Sequence, residues 1–233
     1  FIVFNIFTIF SSYTSLFIPL LDGKYIKEIP NSFKPENINI SAIIPVTGDM
    51  NNNANENKLL DKCIESLINS KYIKQIYVVS EIKPEKENKN LFWIDRSMFP
   101  QLKVKSLDIL LGEILKILES KDNFPDSLMY VNYEYLFRPK NIYDQLIFDA
   151  QYKGYDTAFA GFIDFGHYWF KSENDEFKQT DPSLKSRADR EPVYRALYGL
   201  GCLTSTELIR KGKMIGGLIG IMPIDDLSFT LRI

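Results

Sequence analysis

The stretch SAIIPVTGDMNNNANENK, residues 41–58, decides the fold. Its run of β-branched and small apolar residues ends at Pro45 and Gly48, which predicts a buried strand of a parallel sheet followed by a turn. In open α/β sheets, ligands bind outside the carboxyl ends of such strands. The loop after Pro45 is therefore the first place to look for a nucleotide site.

The composition of this loop does not suit a phosphate. A phosphate-binding loop normally combines glycines, which let backbone N–H groups approach the anion, with Lys or Arg. Between Pro45 and Asn57 there is one glycine and no basic residue, whereas Asp49 and Glu56 are acidic. Such a loop repels a triphosphate unless a metal ion or another segment compensates for its charge.

The composition of the whole chain bounds its class. With 233 residues, 45% apolar and 25% charged, the chain can bury a sizeable core in one large domain. The net charge is −2, and no basic stripe with interleaved aromatic residues is visible. We therefore expect no nucleic-acid partner.

Cysteine and histidine are scarce. Cys63 and Cys202 each lie in an apolar setting, which favours buried free thiols over a disulfide and argues against thiolate metal ligands. The single histidine, His167, excludes a multi-histidine metal site. His167 either contacts a sugar or is a partly buried structural residue, and the second reading is favoured.

The N-terminal residues differ from the rest. Residues 1–21 carry no charge, and their length approaches the ~20 residues that span a bilayer, although several polar residues dilute them. Three interpretations of these residues are open: a membrane anchor or signal-like segment, a hydrophobic arm packed on a partner, or a strand of the fold. Residues 22–40, which contain two prolines among charged residues, read as a linker to a domain over 41–233. A membrane-associated or organellar location is favoured over the free cytoplasm.

Hydrophobic periodicity predicts the remaining elements. Helices are predicted over 58–70 and 106–120 and from Pro139 to Asp149, strands over 72–80, 126–131 and 155–163, and further strands within 166–171 and 197–204. Strands that alternate with helices indicate an α/β fold with a doubly wound, mostly parallel sheet.

Seven stretches in order resemble the cytidylyltransferases that make CMP-activated sugar acids, the CMP-sialic acid and CMP-Kdo synthetases. They are IIPVTGDMNNNANEN (43–57), ESLINSKYIKQIYVVS (65–80), SLMYVNYEYLFRPKNIYDQ (127–145), GYDTAFAGF (154–162), HYW (167–169), VYRALYGLGCL (193–203) and GGLIGIMPI (216–224). The resemblance implies a Rossmann-type sheet of the nucleotide-diphospho-sugar transferase kind. It also implies transfer of CMP from CTP to a sugar-acid hydroxyl, with Mg²⁺ clamping the phosphates.

The first motif departs from the family pattern. The family's basic residues, which hold the triphosphate, fall on Thr47, Asn51 and Glu56, so all three charges are lost. Gly48 and Asn57 keep the family's glycine and terminal asparagine.

The second motif keeps little of the polar turn. Asn132 stands where the family has glutamine, and Arg138 keeps the family's arginine, which either grips a carboxylate or makes a structural contact. The aromatic residues Tyr133, Tyr135 and Phe137 are read as a plug of the old pocket or as a hydrophobic contact for another protein chain.

The metal-binding motif is also changed. The family's two Mg²⁺-binding aspartates match Thr230 and Arg232, and a fixed cation cannot coordinate another. Asp225 and Asp226 replace them only if the alignment slips by about five residues.

Two functions follow from these matches and losses. The favoured one is a catalytically degenerate cytidylyltransferase-like domain without catalytic residues, metal or cofactor. It would act as a structural subunit, with a protein partner or as a dimer, and with a possible membrane contact through Phe1–Leu21. The alternative is an active CMP-sugar-acid synthetase that uses CTP and Mg²⁺ with altered residues. The mixed-charge segment 187–195 is either a surface of paired charges or a substrate-facing or dimer-contact loop.

Overall fold

The computed structural model describes residues 38–46, 54–102, 106–180 and 185–232, with side chains from Asn57 onward in the first helix. The predicted N-terminal arm, most of the linker, and the loop that holds Thr47, Gly48 and Asn51 lie outside the described residues.

Strands and helices alternate through the first half of the domain. They are β1 (Ile40–Pro45), α1 (Ala54–Ile68), β2 (Gln75–Ser80), β3 (Leu91–Asp95), α2 (Leu107–Glu119), β4 (Ser127–Tyr130), α3 (Ile142–Lys153) and β5 (Thr157–Asp164). The second half is richer in strands: β6 (Trp169–Lys171), β7 (Phe177–Gln179), β8 (Val193–Ala196), β9 (Cys202–Ser205), α4 (Thr206–Arg210) and β10 (Ile219–Ile224). Short 3-10 helices occur at Arg96–Met98, Pro100–Leu102, Arg187–Asp189, Tyr198–Leu200 and Leu227–Thr230.

The main sheet has the strand order β10-β5-β9-β4-β1-β2-β3, with β8 paired to the carboxyl half of β5. Six of its strands run parallel, whereas β9 is antiparallel to both β4 and β5. This is the doubly wound, mostly parallel α/β sheet that the sequence predicts. Strands β6 and β7 form a separate two-stranded sheet.

Alternation along β1 sends side chains into two cores. Ile40, Ala42 and Ile44 face the core that α1 and α3 close, and Ile43 faces the core that α2 and α4 close. Both faces of β1 are therefore buried, which explains its continuous apolar run. Cys63 and Cys202 are buried free thiols in these cores, as predicted.

Several predicted boundaries shift. Helix α3 begins at Ile142 and not at Pro139. Asn141, between them, adopts a left-handed conformation with φ 58°, which interrupts the helical geometry. The linker prediction ran to residue 40, but Ile40 already pairs with β4. Strand β3 was not predicted. The sequence favours a partly buried position for His167, but the residue is exposed, as is the whole of the segment 166–171.

Candidate functional site

The connection between β4 and α3 leaves the carboxyl edge of the parallel sheet, where ligands of open α/β sheets bind. Its first residues, 132–138, are called the 132–138 turn below. Beside this turn lies a cleft of about 260 Å³. It is lined by Leu107, Tyr130, Asn132, Tyr135, Arg195, Ala196, Leu197, Tyr198, Gly199, Thr230 and Arg232.

Asn132 organises the start of the turn. Its Oδ1 accepts a hydrogen bond from the backbone N–H of Glu134 at 2.8 Å, and its Nδ2 donates to Glu134 Oε2 at 3.1 Å. An Asn side-chain oxygen that accepts a hydrogen bond from the backbone N–H two residues later forms an Asx turn. The Asn132 backbone N–H donates to the Gly199 carbonyl at 2.7 Å, which ties the turn to the cleft wall.

Arg138 closes the end of the turn. Its Nη1 donates to the Tyr135 carbonyl at 2.8 Å and its Nη2 to the Asn132 carbonyl at 2.5 Å. Its buried Nε has no hydrogen-bond partner among the described residues. Arg138 borders a second cavity of about 290 Å³ between α1 and α3, and does not line the cleft. The guanidinium therefore binds the turn that precedes it.

The three aromatic residues of the turn have different surroundings. Tyr133 and Tyr135 are each 4% exposed, whereas Phe137 is 51% exposed. Tyr133 joins the core that α1 and α3 close. Both tyrosine rings thus fill space beneath the turn, and Phe137 presents its ring to solvent.

Gly199 permits the close approach of the Tyr135 ring. A Cβ at Gly199 would lie 2.8 Å from Tyr135 Cε2 and 2.7 Å from Asn132 Cβ. Any larger residue would push the ring or the turn away. Sequence reasoning missed Gly199, although a glycine in the YGLG stretch between two apolar segments could have marked a close contact.

Arg232 lies over the ring of Tyr135 in the same cleft. Its guanidinium carbon is 5.6 Å from the centroid of the Tyr135 ring, and the two residues form an antiparallel bridge. Leu136 N–H donates to the Leu231 carbonyl at 3.1 Å beside this bridge. The resemblance puts a Mg²⁺ ligand at this position, and a guanidinium packed on an aromatic ring does not fit one.

Asp225 and Asp226 do not line the cleft. Asp226 accepts a hydrogen bond from the Ser228 N–H at 2.8 Å and caps the 3-10 helix that follows, and its bonds to Ser228 lower the pKa of its carboxyl. Within the described residues, no three His, Cys, Asp or Glu side chains are grouped to hold a metal ion.

The cleft is cationic and phenolic. The guanidinium of Arg195 lies 5.2 Å from the Phe162 ring, and in the described part of the chain neither Arg195 nor Arg232 forms an ion pair. Burial raises the pKa of Tyr135, and the charges of Arg232, Arg195 and Arg138 oppose this rise. Burial also raises the pKa of Tyr130 to about 12, so both phenols are neutral at physiological pH.

The remaining predicted site residues lie elsewhere. Asn57 is exposed on α1, and Gly48 is outside the described residues. The segment predicted as mixed charge contributes Arg195 to the cleft, whereas Arg187 stacks on Phe165 at 5.7 Å, away from the cleft. The structure thus brings Asn132, Tyr135, Arg195 and Arg232 together in the cleft. Arg138 lies outside it and borders the second cavity.

Solved structures of two kinds of cytidylyltransferase share this fold. The 4-diphosphocytidyl-2C-methyl-D-erythritol synthase of Anaerococcus prevotii matches with a TM-score of 0.57 and 14% identity over 84% of this chain and 90% of that chain. The Francisella tularensis 2-C-methyl-D-erythritol 4-phosphate cytidylyltransferase matches with a TM-score of 0.56 and 12% identity over 84% of this chain and 94% of that chain.

A CMP:2-keto-3-deoxy-manno-octonic acid synthetase, solved in complex with CTP, matches with a TM-score of 0.54 and 8% identity over 81% of this chain and 90% of that chain. No protein-family model and no curated protein matches the sequence. The chain therefore has the fold of the cytidylyltransferases that its sequence resembles.

No helix among the described residues is long and apolar enough to cross a membrane.

Proposed function

We propose that this chain is a cytidylyltransferase-like domain that has lost nucleotidyl transfer and serves as a structural or interaction subunit. One observation carries the proposal: Arg138, the arginine that the second motif retains, donates two hydrogen bonds to carbonyls of its own turn. A guanidinium engaged in this way has fewer N–H groups left for a substrate carboxylate or phosphate.

The substitutions around the site support the same conclusion. Nucleotidyl transfer depends on neutralising charge in the transition state, and loss of one such contact typically costs roughly a hundredfold in rate. The chain has Thr47, Asn51 and Glu56 at the positions of basic residues, and Arg232 at that of a metal-binding carboxylate. Even with strong non-additivity, the usual mechanism would be lost.

The proposed subunit would act through a protein partner, as a dimer or within a larger complex. Residues 1–21 add a possible membrane contact, which would fit a membrane-associated or organellar location. We propose no nucleic-acid partner, because the chain has a net charge of −2.

A second candidate is favoured by the cleft itself. Arg195 and Arg232 both line a cavity whose phenols are neutral, and such a site suits an oxyanion. On this reading, the chain is a CMP-sugar-acid synthetase that uses CTP and Mg²⁺ with replacement residues.

Thermal unfolding of the full chain with millimolar CTP and Mg²⁺ tests both candidates. A ligand at a hundred times its Kd stabilises a fold by about 2.7 kcal/mol. The proposal expects no shift in Tm and no release of pyrophosphate when a sialic acid or Kdo is added.

The variant Arg232→Gln is the control for this experiment. A Tm shift with CTP that disappears in Arg232→Gln would overturn the proposal and support the second candidate. Pyrophosphate release by the wild-type chain would do the same without any variant.

A further inference from the structure

The cavity between α1 and α3 is separate from the cleft. It has a volume of about 290 Å³, and among the described residues none lines both spaces. Its lining carries two cationic side chains, one carboxylate and several hydroxyl and amide groups, which include Ser66, Asn69, Arg138, Lys140, Tyr143 and Asp144. Neither candidate function assigns a role to this cavity.

Arg138 has an unused donor beside this cavity. Its two terminal nitrogens donate to the carbonyls of Tyr135 and Asn132, whereas its buried Nε–H finds no acceptor among the described residues. A buried donor of a charged group costs free energy when it is left unpaired. Such a group calls for an explanation, and an acceptor that enters the cavity provides one.

The hydroxyl groups of the lining are engaged with each other. Ser66 Oγ donates to the Cys63 carbonyl at 2.7 Å and lies 3.2 Å from the Tyr143 hydroxyl. Since a serine hydroxyl has one proton, Tyr143 is the donor in the second contact. Both hydroxyl protons are thus used within the protein, and binding of a ligand is left to the cationic and amide side chains.

The size of the cavity exceeds what one solvent molecule fills. A water molecule takes up roughly 30 Å³ in the liquid. The cavity, at about 290 Å³, is close to the lower end of the range of about 300–1,000 Å³ that is typical of ligand pockets. It therefore has room for a small metabolite.

The charges of the lining favour an anion. In the described part of the chain, neither Arg138 nor Lys140 forms an ion pair. The one carboxylate, Asp144, is buried, and its two oxygens accept hydrogen bonds from the Ser70 hydroxyl and the Lys71 N–H just after α1. Two unpaired cations thus stand against one carboxylate whose oxygens are already hydrogen-bonded.

The two helix ends at the cavity do not decide its charge. Helix α1 ends at Ile68 and helix α3 begins at Ile142, so a negative and a positive helix end border the same space. Their effects oppose each other, and the side chains determine which ligand is favoured.

We propose that the cavity between α1 and α3 binds the phosphate group of a small metabolite. The Arg138 Nε–H and the Lys140 ammonium donate to phosphate oxygens. Lys140 is exposed at the mouth, and its flexible stem lets the ammonium turn inward. A phosphate monoester carries a charge of about −1.5 to −2 at pH 7, which matches two cations better than a carboxylate does.

This proposal goes beyond the proposed function, because the site lies outside the cleft and requires neither loss nor retention of nucleotidyl transfer. Arg138 nevertheless joins the two places. Its terminal nitrogens hold the carbonyls of Asn132 and Tyr135, and both of those residues line the cleft.

NMR spectroscopy of the full chain tests the site, because the Nε–H group of each arginine gives its own proton–nitrogen cross-peak. The Arg138 cross-peak is assigned from its absence in Arg138→Lys. The probe is inorganic phosphate, added up to about 20 mM while sodium chloride keeps the ionic strength near 0.1 M. The Arg138 cross-peak is expected to shift and to saturate. Acetate, which carries a single charge, should bind at least about tenfold more weakly.

Lys140→Gln removes one of the two cations. It is expected to raise the phosphate Kd by about tenfold, which corresponds to the loss of one charge-assisted hydrogen bond. Lys153→Gln is the matched control, because Lys153 lies at the other end of α3, where it pairs with Asp149 at 3.7 Å. Its phosphate Kd should stay within about twofold of the wild-type value.

Asn69→Asp is a second variant, with nearly the same shape as the wild type. It adds a negative charge to the lining and should raise the phosphate Kd by a similar factor. Asn69 and Lys140 are both exposed, so neither substitution is expected to disturb the fold.

Arg195→Gln distinguishes this site from the cleft, which also suits an oxyanion. It should leave the response of the Arg138 cross-peak unchanged. A cross-peak that stays in place at every phosphate concentration would overturn the proposal. A shift that survives Lys140→Gln and Asn69→Asp but disappears in Arg195→Gln would overturn it too, and would move the anion to the cleft. Acetate that binds as tightly as phosphate would refute the phosphate class.

Discussion

Two aromatic segments leave the carboxyl edge of the same sheet and meet opposite fates. The 132–138 turn follows β4 and buries two tyrosines, while the β6–β7 hairpin follows β5 and exposes Trp169 and Phe177. The backbone N–H groups of Asn132 and Leu136 bond the turn to the Gly199 and Leu231 carbonyls, and Arg138 closes the turn on itself. The hairpin's strands bond mainly to each other. Aromatic content alone therefore does not separate a buried turn from an exposed hairpin; attachment of the backbone to the core does.

The sharpest test of this contrast is Tyr135→Ala. Removal of a buried ring that packs on Gly199 and Arg232 should lower the free energy of unfolding by about 3–5 kcal/mol, as for other large core side chains. Urea unfolding of the full chain measures the change. Phe137→Ala, two residues further along the same turn but half exposed, should change the free energy of unfolding by no more than about 0.5 kcal/mol. Equal effects of both variants would erase the distinction.

Removal of the Arg138 side chain should have the next largest effect. Arg138→Ala leaves the carbonyls of Asn132 and Tyr135 without their donor, which should cost about 2–3 kcal/mol. Arg138→Lys can restore at most part of this, because Lys lacks the planar fork that reaches two acceptors. If Arg138→Ala is as stable as the wild type, Arg138 has no structural role in the turn, and a role in ligand binding is favoured instead.

The packing beneath the turn should also affect the reactivity of the buried Cys63 thiol on α1. Burial raises the pKa of Cys63 from its ordinary 9.0 to about 11, against the opposing charge of Arg138, and raises the pKa of Cys202 to about 12. Both thiols should resist a thiol reagent at pH 8 in the native state and react fully in urea. Rapid native labelling of Cys63 would mean that the turn opens.

The same pKa values predict the alkaline limit of stability. The unfolded chain releases its thiol protons near pH 9, before the folded chain does. The contribution of the two thiols to the free energy of unfolding should therefore be constant below about pH 8 and fall as the pH rises above 9. Cys63→Ala should flatten part of this fall, and an unchanged profile would contradict the burial of Cys63.

The smallest effect is expected in the hairpin. Phe177→Ser removes a ring that is 71% exposed, so the free energy of unfolding should change by no more than about 0.5 kcal/mol. A loss of several kcal/mol would show that the hairpin packs against the core, and the contrast with the turn would fail.

The sequence predicted the sheet where side chains repeat with a clear period. The continuous apolar runs of β1 and β5 and the 3–4 spacing of α2 are local properties, and they sufficed for the doubly wound class. Strand β3 was not predicted, because LFWID is only a five-residue run after a charged loop. Its pairing with β2 identifies it as a strand.

The site was harder to predict, because its members come from distant segments. Asn132 and Tyr135 were singled out, but the cleft is also lined by Arg195, Gly199 and Arg232, which come from later segments of the chain. No local pattern indicates that Arg232 packs on Tyr135, or that Arg138 turns back to the carbonyls before it. Those contacts depend on the order in which strands are assembled.

That order has a consequence for synthesis of the chain. Strand β9 lies between β4 and β5 in the sheet, although about seventy residues separate β4 from it in sequence. The block β3-β2-β1-β4 can pair as soon as residue 130 leaves the ribosome, but β5, which pairs with β8 and β10, joins this block only through residues 202–205. Until then the inner edge of β4 is open. Closure over so long a separation is slow, so a nascent or truncated chain that stops before β9 should depend on chaperones far more than the finished one.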